Sequence, residues 1–298
     1  MTAGEVALVS GGQWVRRRGD PALGKSLVAA LASSEDHESV RELLRPAVDC
    51  WQRRDLEGAE AELRRALLWP EEGARAVAQL LLADVLRARG ELEDGLLMMR
   101  LAVAGGHPEI APLAACVLGN WLEEYGALES ARRAYQQAVD SGHRVHGARG
   151  RGHLAELLYF EGQGQPAEVL LREAIDCDAV EWSGQAAGLL GDIRFAEGDL
   201  DGAYEAFRAA AVRDAPDPAD RAAVMLAVLI DLGCGGDRAR DDFAGLQRAG
   251  MPPERAAFIG ATLARWRCAG QGVDDPVGAV DPGWAGYYAA AMRFQRNR

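Results

Sequence analysis

Three groups of residues have types and spacings that could carry chemistry. Gly19 to Ser26, reading "GDPALGKS", satisfy the expression G-x-x-x-x-G-K-S. In a phosphate-binding loop of that form, backbone amides cradle the phosphates, Lys25 would reach the β- and γ-phosphates, and Ser26 would ligate magnesium. Such a loop also needs a buried strand leading into it, and here the lead-in is "WVRRR". Pro21 then reads as the entry to a helix. Asp231, which closes "VMLAVLID", imitates the acidic metal ligand of the same chemistry. His143, His146 and His153 have the spacing of metal ligands, although a zinc site needs one more donor. No Ser-His-Asp or Cys-His arrangement is detectable, so neither a catalytic activity nor a cofactor nor a metal is expected.

The elements that must position these residues argue the same way. Gly90, Gly126, Gly162, Gly198 and Gly270 lie on one 36-residue ladder, with Cys234 between Gly233 and Gly235 at the remaining rung. Glycine at such spacing marks the ends of helices, where a residue with positive φ is wanted. Five residues beyond these turns stand Ala59, Gly95, Ala131, Ala167, Ala203 and Ala239, small side chains where two helices approach closely. Leu63, Met99, Tyr135, Leu171, Phe207 and Phe243 follow four positions later, and Ala66, Ala102, Ala138, Ala174 and Ala210 three after that. Before the turns, Leu82, Leu118, Leu154, Leu190 and Leu226 repeat, each followed by Ala or Gly, with Leu86, Leu122, Leu158 and Ile230 one turn later. These sets are the facing stripes of a helical hairpin, and hairpins of this kind must stack to bury both faces.

The repeat absorbs two of the three motifs. Leu226, Ala227 and Ile230 place the segment before Asp231 on the helical ladder, and His107 and His143 are themselves one period apart in "GGH" and "SGH" loops. A histidine there is expected to hydrogen-bond a helix end.

Leu-Gly or Leu-Ala, a turn glycine, then Ala, an aromatic and Ala together resemble the tetratricopeptide repeat family, with "LGNWLEEYGALESARRAYQQAV", Leu118 to Val139, as the best copy. The resemblance spans residues 40 to about 250, with a 36-residue period where the family has 34. It implies an all-α fold, a right-handed α-solenoid of about seven to eight stacked antiparallel hairpins. Residues 1–39 are expected to form a degenerate N-terminal hairpin or cap, 40–252 the tandem repeats, and 253–298 a degenerate last repeat with a C-terminal capping helix. Pro46 takes the place of the rung leucine, so its helix is expected to be kinked or shortened.

The resemblance also implies that the first helix of each hairpin lines a concave groove. The groove-facing ladder reads Val48, Asp84, Asn120, Glu156, Asp192 and Val228, with Arg87, Glu123, Tyr159, Phe195 and Asp231 at its edge. Tyr159, Phe160 and Phe195 would supply an apolar pocket beside the acids. The expected partner-binding residues are therefore Asp84, Arg87, Asn120, Glu123, Glu156, Tyr159, Phe160, Asp192 and Phe195. A protein or peptide segment, basic or polar, suits such a face. The family's clamp for acidic peptide tails needs several Lys or Arg on these faces, and they are absent here.

Composition fits this reading. The 298 residues carry a formal charge of −12, which disfavours nucleic acid and anionic membranes as partners. Five cysteines without CxxC spacing fit a reducing, cytoplasmic compartment. The first residues do not read as a secretory signal. One lysine among many arginines, with abundant Ala and Gly, suggests a GC-rich bacterial genome. The terminal segment of residues 283–298, with Trp284, Tyr287, Tyr288, Met292 and three arginines, is expected either to cap the array or to occupy an acidic groove, its own or that of a second copy in a homodimer. The sequence reading is thus a non-catalytic scaffold or adaptor, with a ligand-sensing regulatory domain or nucleotide binding through Gly19 to Ser26 as alternatives.

Overall fold

The computed structural model describes residues 38–177 and 179–212, together with Ala222, Met225, Leu226, Leu229, Ile230 and Cys234. Ten helices and no strand occur among the described residues. They are α1 (Glu38–Gln52), α2 (Leu56–Ala66), α3 (Glu72–Ala88), α4 (Leu92–Ala104), α5 (Ile110–Glu124), α6 (Leu128–Asp140), α7 (Arg144–Phe160), α8 (Gly164–Ile175), α9 (Val180–Glu197) and α10 (Leu200–Ala211). The chain divides into two compact units, one of Arg17–Gly150 and one of Met1–Arg16 with Arg151–Arg298.

Within each hairpin the turn follows one hydrogen-bond recipe. Gly90, Gly126, Gly162 and Gly198 have φ of 87°, 74°, 79° and 82°. At each, the glycine N–H donates to the carbonyl three residues back and the next N–H to the carbonyl five back, as in Gly126 to Glu123 (2.9 Å) and Ala127 to Leu122 (2.8 Å). This pair of bonds satisfies carbonyls the helix end would otherwise leave open. Arg54 makes the same two bonds, to Trp51 and, through Asp55, to Cys50. It holds a φ of 61° without being glycine, so the ladder extends to a rung the glycine pattern did not show. At the Cys234 rung, Cys234 itself donates to Leu229 (3.0 Å), which puts the turn one residue ahead of the period.

Two of the second helices, α2 and α10, start on a side-chain cap, whereas α4, α6 and α8 do not. Asp55 accepts from the Gly58 N–H and Asp199 from the Gly202 N–H, each at 2.9 Å. A side-chain acceptor there completes the first turn and is worth about 1 kcal/mol.

In the unit of residues 17–150, α1 packs on α2, α3 on α4 and α5 on α6, while α2 on α3 and α4 on α5 join the hairpins; α1, α3 and α5 also touch in succession. In the other unit α9 packs on both α8 and α10. The small rung is buried throughout, at Ala59, Gly95, Ala131, Ala167 and Ala203, as are Leu63, Met99, Tyr135, Leu171 and Phe207. A Cβ on Gly95 would stand 3.0 Å from the Ala83 carbonyl oxygen, the close backbone approach that the small residues allow. Two aromatic rungs are matched by glycine on the facing helix. The Tyr135 ring would lie 2.3 Å from a Cβ at Gly119, and the Phe207 ring 2.7 Å from one at Gly191. Where the facing residue is Ala83 or Ala155, the rung carries the aliphatic Met99 or Leu171 instead.

Two expectations are corrected. Pro46 is exposed and α1 runs through it for 15 residues, so the helix is not shortened. Leu190 is only half-buried, whereas Gly191, Ile193 and Phe195 of the same helix are buried. Gly19 to Ser26, Asp231 and the terminal segment 283–298 lie outside the described residues.

Candidate peptide-binding face

In the unit of residues 17–150, the first helices α3 and α5 lie side by side and carry four of the residues singled out by sequence. Asp84, Arg87, Asn120 and Glu123 are all half-buried. Arg87 bridges the two helices: its Nη2 is 2.6 Å from Glu124 Oε2, and its guanidinium lies 4.7 Å from the centre of the buried Trp121 ring. Stacking on an aromatic face leaves the edge of the guanidinium free to pair.

Asn120 and Glu123 are joined through a residue that the repeat pattern assigns only to the core. The Tyr135 ring is buried, yet its hydroxyl lies 2.7 Å from the Asn120 amide and 2.8 Å from Glu123 Oε2. A phenol has one proton to give. Donated to Glu123, it leaves the phenolic oxygen to accept from the Asn120 side-chain NH2, whose carbonyl then accepts from Arg149 Nη2 at 3.3 Å. Arg149, Asn120, Tyr135 and Glu123 thus form one polar chain across α7, α5 and α6. Burial raises the Glu123 pKa above the ordinary carboxylate value, the Tyr135 hydrogen bond lowers it, and neighbouring Glu124 raises it again. Neither Tyr135 nor Arg149 was singled out for the face. A signal was present for Tyr135, since among Leu63, Met99, Tyr135, Leu171 and Phe207 it alone has a hydroxyl; Arg149 carried none, because its position reads Arg41, Val77, Leu113, Gln185 and Arg221 in the other repeats.

In the other unit, Glu156 and Tyr159 are half-buried and Phe160 is exposed, its ring 6.2 Å from that of Tyr159. Burial, then Glu197 and Asp192, push the Tyr159 hydroxyl pKa up. Asp192 and Phe195 are buried, Phe195 to 1% exposure. Phe195 is therefore a core residue of α9 and does not open a pocket beside Phe160. Arg194 occupies the rung held elsewhere by Leu86, Leu122 and Leu158, and pairs with Glu168 and with Asp199 (2.5 Å). Each unit thus interleaves cations with its acids, and the face is less uniformly acidic than its ladder of groove positions suggests.

The histidines do not converge. His143 and His146 stack with centroids 4.7 Å apart, whereas His153 packs 6.4 Å from Trp182. No group of three metal-ligating side chains occurs among the described residues. His143 Nδ1 accepts from the His146 N–H at 3.0 Å, and His107 Nδ1 from the Glu109 N–H at 3.4 Å. Both loop histidines thus serve the start of the following helix, the role their spacing implied. Cys116 is buried, donates to the His146 carbonyl, and has its thiol pushed up to about 11 by burial, which leaves it no nucleophile.

Hairpins joined by one turn recipe, packed through small rungs and presenting polar first-helix faces, define a helical-repeat scaffold. Residues 19–152 match the family model described as a tetratricopeptide repeat-like domain. That match begins at Gly19, so the phosphate-loop expression falls within it. The solved structure of BtubC (BKLC) from P. vanneervenii is similar to this chain, with a TM-score of 0.50 and 17% identity over 76% of this chain and 92% of that one. At that identity the likeness concerns the fold. Among curated proteins none matches. No helix among the described residues is long and apolar enough to cross a membrane.

Proposed function

We propose that this chain is a non-catalytic adaptor whose α3 and α5 face holds a basic or polar peptide segment. The observation that carries the reading is Glu123. A carboxylate is kept on this face although burial opposes its charge, and such groups gather at functional sites. Asn120 beside it is tied to Tyr135 and Arg149 and keeps one carbonyl lone pair as an acceptor for a peptide N–H. Asp84 on the neighbouring helix adds a second carboxylate to the same face. Repeats of this family are typically non-catalytic and generally mediate protein interactions, which supports the class; the basic partner rests on the face itself.

The test uses the purified chain and an array of short peptides graded in charge. Arginine- or lysine-bearing peptides should bind best, and Asp84→Ala with Asn120→Ala should lower their affinity by roughly tenfold or more, the loss of one or two charged hydrogen bonds, at unchanged helicity. Equal binding of acidic and basic peptides, or full affinity in the double variant, overturns the reading.

A further inference from the structure

The outer side of α4 is unlike that of the other second helices. Gly95, Met99 and Ala102 of α4 are buried, with the backbone at Gly95 lying against Ala83 of α3 and Trp121 of α5. Leu97, Leu101 and Ala104 stand on the opposite side of the helix and are exposed, Leu97 to 47% and Leu101 to 42%. One helical turn separates the two leucines, so they form a single apolar stripe. In the other repeats the same two positions read Ala61 and Arg65, Arg133 and Gln137, Val169 and Glu173, and Glu205 and Ala209. No other repeat puts a large apolar residue at both. The stripe faces away from its own hairpin, so hairpin packing does not account for it, and apolar surface of this kind marks a contact with another molecule.

The charges beside the stripe say which molecule fits. Arg64 and Arg65 of α2, Arg172 of α8 and Arg208 of α10 pair with glutamates of their own helices. Glu93 and Arg100 of α4 are exposed and have no ion-pair partner among the described residues. They lie seven residues apart, which puts them on one flank of the stripe with Leu97 between them. This flank is complementary to itself in one orientation. A second α4 that runs antiparallel and crosses at Leu97 sets Glu93 of each copy towards Arg100 of the other, whereas a parallel copy opposes like charges.

We propose that α4 is a self-association surface, through which two copies of this chain pair antiparallel about a two-fold axis, Leu97 and Leu101 forming the contact and Glu93 facing Arg100 on each side.

Such a contact uses the same patch on both copies and closes at two. It engages one short helix per copy, so the dimer belongs to the small-interface, concentration-dependent class. Because the stripe lies on the side of α4 opposite to α3 and α5, the pairing neither uses nor blocks the residues of those helices.

Sedimentation velocity of the full chain from about 1 to about 300 µM tests the pairing. The weight-average mass of wild type should rise from that of one chain towards that of two. Leu97→Gln with Leu101→Gln should stay monomeric over the range at unchanged far-UV circular dichroism, both side chains being exposed. Arg100→Glu turns two attractive pairs into two repulsive ones and should weaken association by roughly tenfold or more. Adding Glu93→Arg to it restores the pairs in reverse and should return association to near the wild-type level. A wild type that is monomeric at every concentration, a leucine variant that associates like wild type, or a charge reversal that the second change does not rescue overturns the proposal.

Discussion

Arg54 shows how much one dihedral angle can matter in a repeated turn. Its backbone sits at φ 61°, where an L side chain crowds the following carbonyl at a cost of about 1–2 kcal/mol, and the next four turns use glycine. Arg54→Gly should raise stability by about 0.5–1 kcal/mol, the relief of strain exceeding the added freedom of the unfolded chain. The midpoint of urea unfolding checks this, and an unchanged or lower midpoint would mean that the arginine side chain contributes more than its backbone costs. Glu123 is the contrasting residue, a carboxyl group placed where burial opposes its charge. Its folded pKa is raised, so the native state takes up protons more readily and the group's contribution is lost as pH rises. Glu123→Gln keeps an acceptor for Tyr135 and should stabilise the fold at neutral pH by up to about 1 kcal/mol, while weakening basic-peptide binding. Opposite movement of stability and affinity is the signature to look for.

At the scale of the element, pairs of facing rungs decide which hairpins tolerate which side chains. Gly191 opens a notch for the Phe207 ring, and a Cβ there would lie 2.7 Å from it. Gly191→Ala alone should cost about 1–3 kcal/mol through overpacking. Combined with Phe207→Leu it recreates the Ala155 and Leu171 pair, so the double variant should be more stable than the two separate losses predict, with a coupling of about 1 kcal/mol or more by denaturant titration. Additive losses would show that the ring can move away unaided. These pairs explain why the fold was legible in the sequence. Turn glycines, small rungs and large rungs each have one steric cause, and each recurs with the period. The face was legible only in part, because a periodic position tells which way a side chain starts out and not what it reaches. Tyr135 starts as core and ends with its hydroxyl on Glu123. Phe195 occupies an edge position, yet it is buried together with Asp192 and Ile193 of the same helix. Arg54 carries no such mark in the sequence, because the turn requires a positive φ and glycine is only the residue that adopts it most readily.

For the whole molecule, acid should act through a group that the fold keeps neutral. Burial holds the His146 pKa down at about 4 from its usual 6.5, with His143 and Arg149 lowering it further and Glu109 opposing them. An imidazole that is neutral when folded and protonated when unfolded gives the unfolded chain the greater proton uptake. Stability is therefore complete above the ordinary histidine value and declines as pH falls from about 6.5 toward about 4, with a slope approaching 1.4 kcal/mol per pH unit. The shift of the ion-paired carboxylates runs in the same direction at lower pH: Glu109, Glu168 and Asp199 all have lowered pKa values, so their contribution is lost only as they too become protonated. The two phases are separable by variant. His146→Leu removes the imidazole and should flatten the decline above about pH 5, while leaving the steeper loss at lower pH in place. Urea titrations across this range, followed by circular dichroism, would show it; a wild-type curve flat between neutral pH and pH 5, or a His146→Leu curve with the same decline, would assign acid sensitivity to the carboxylates alone.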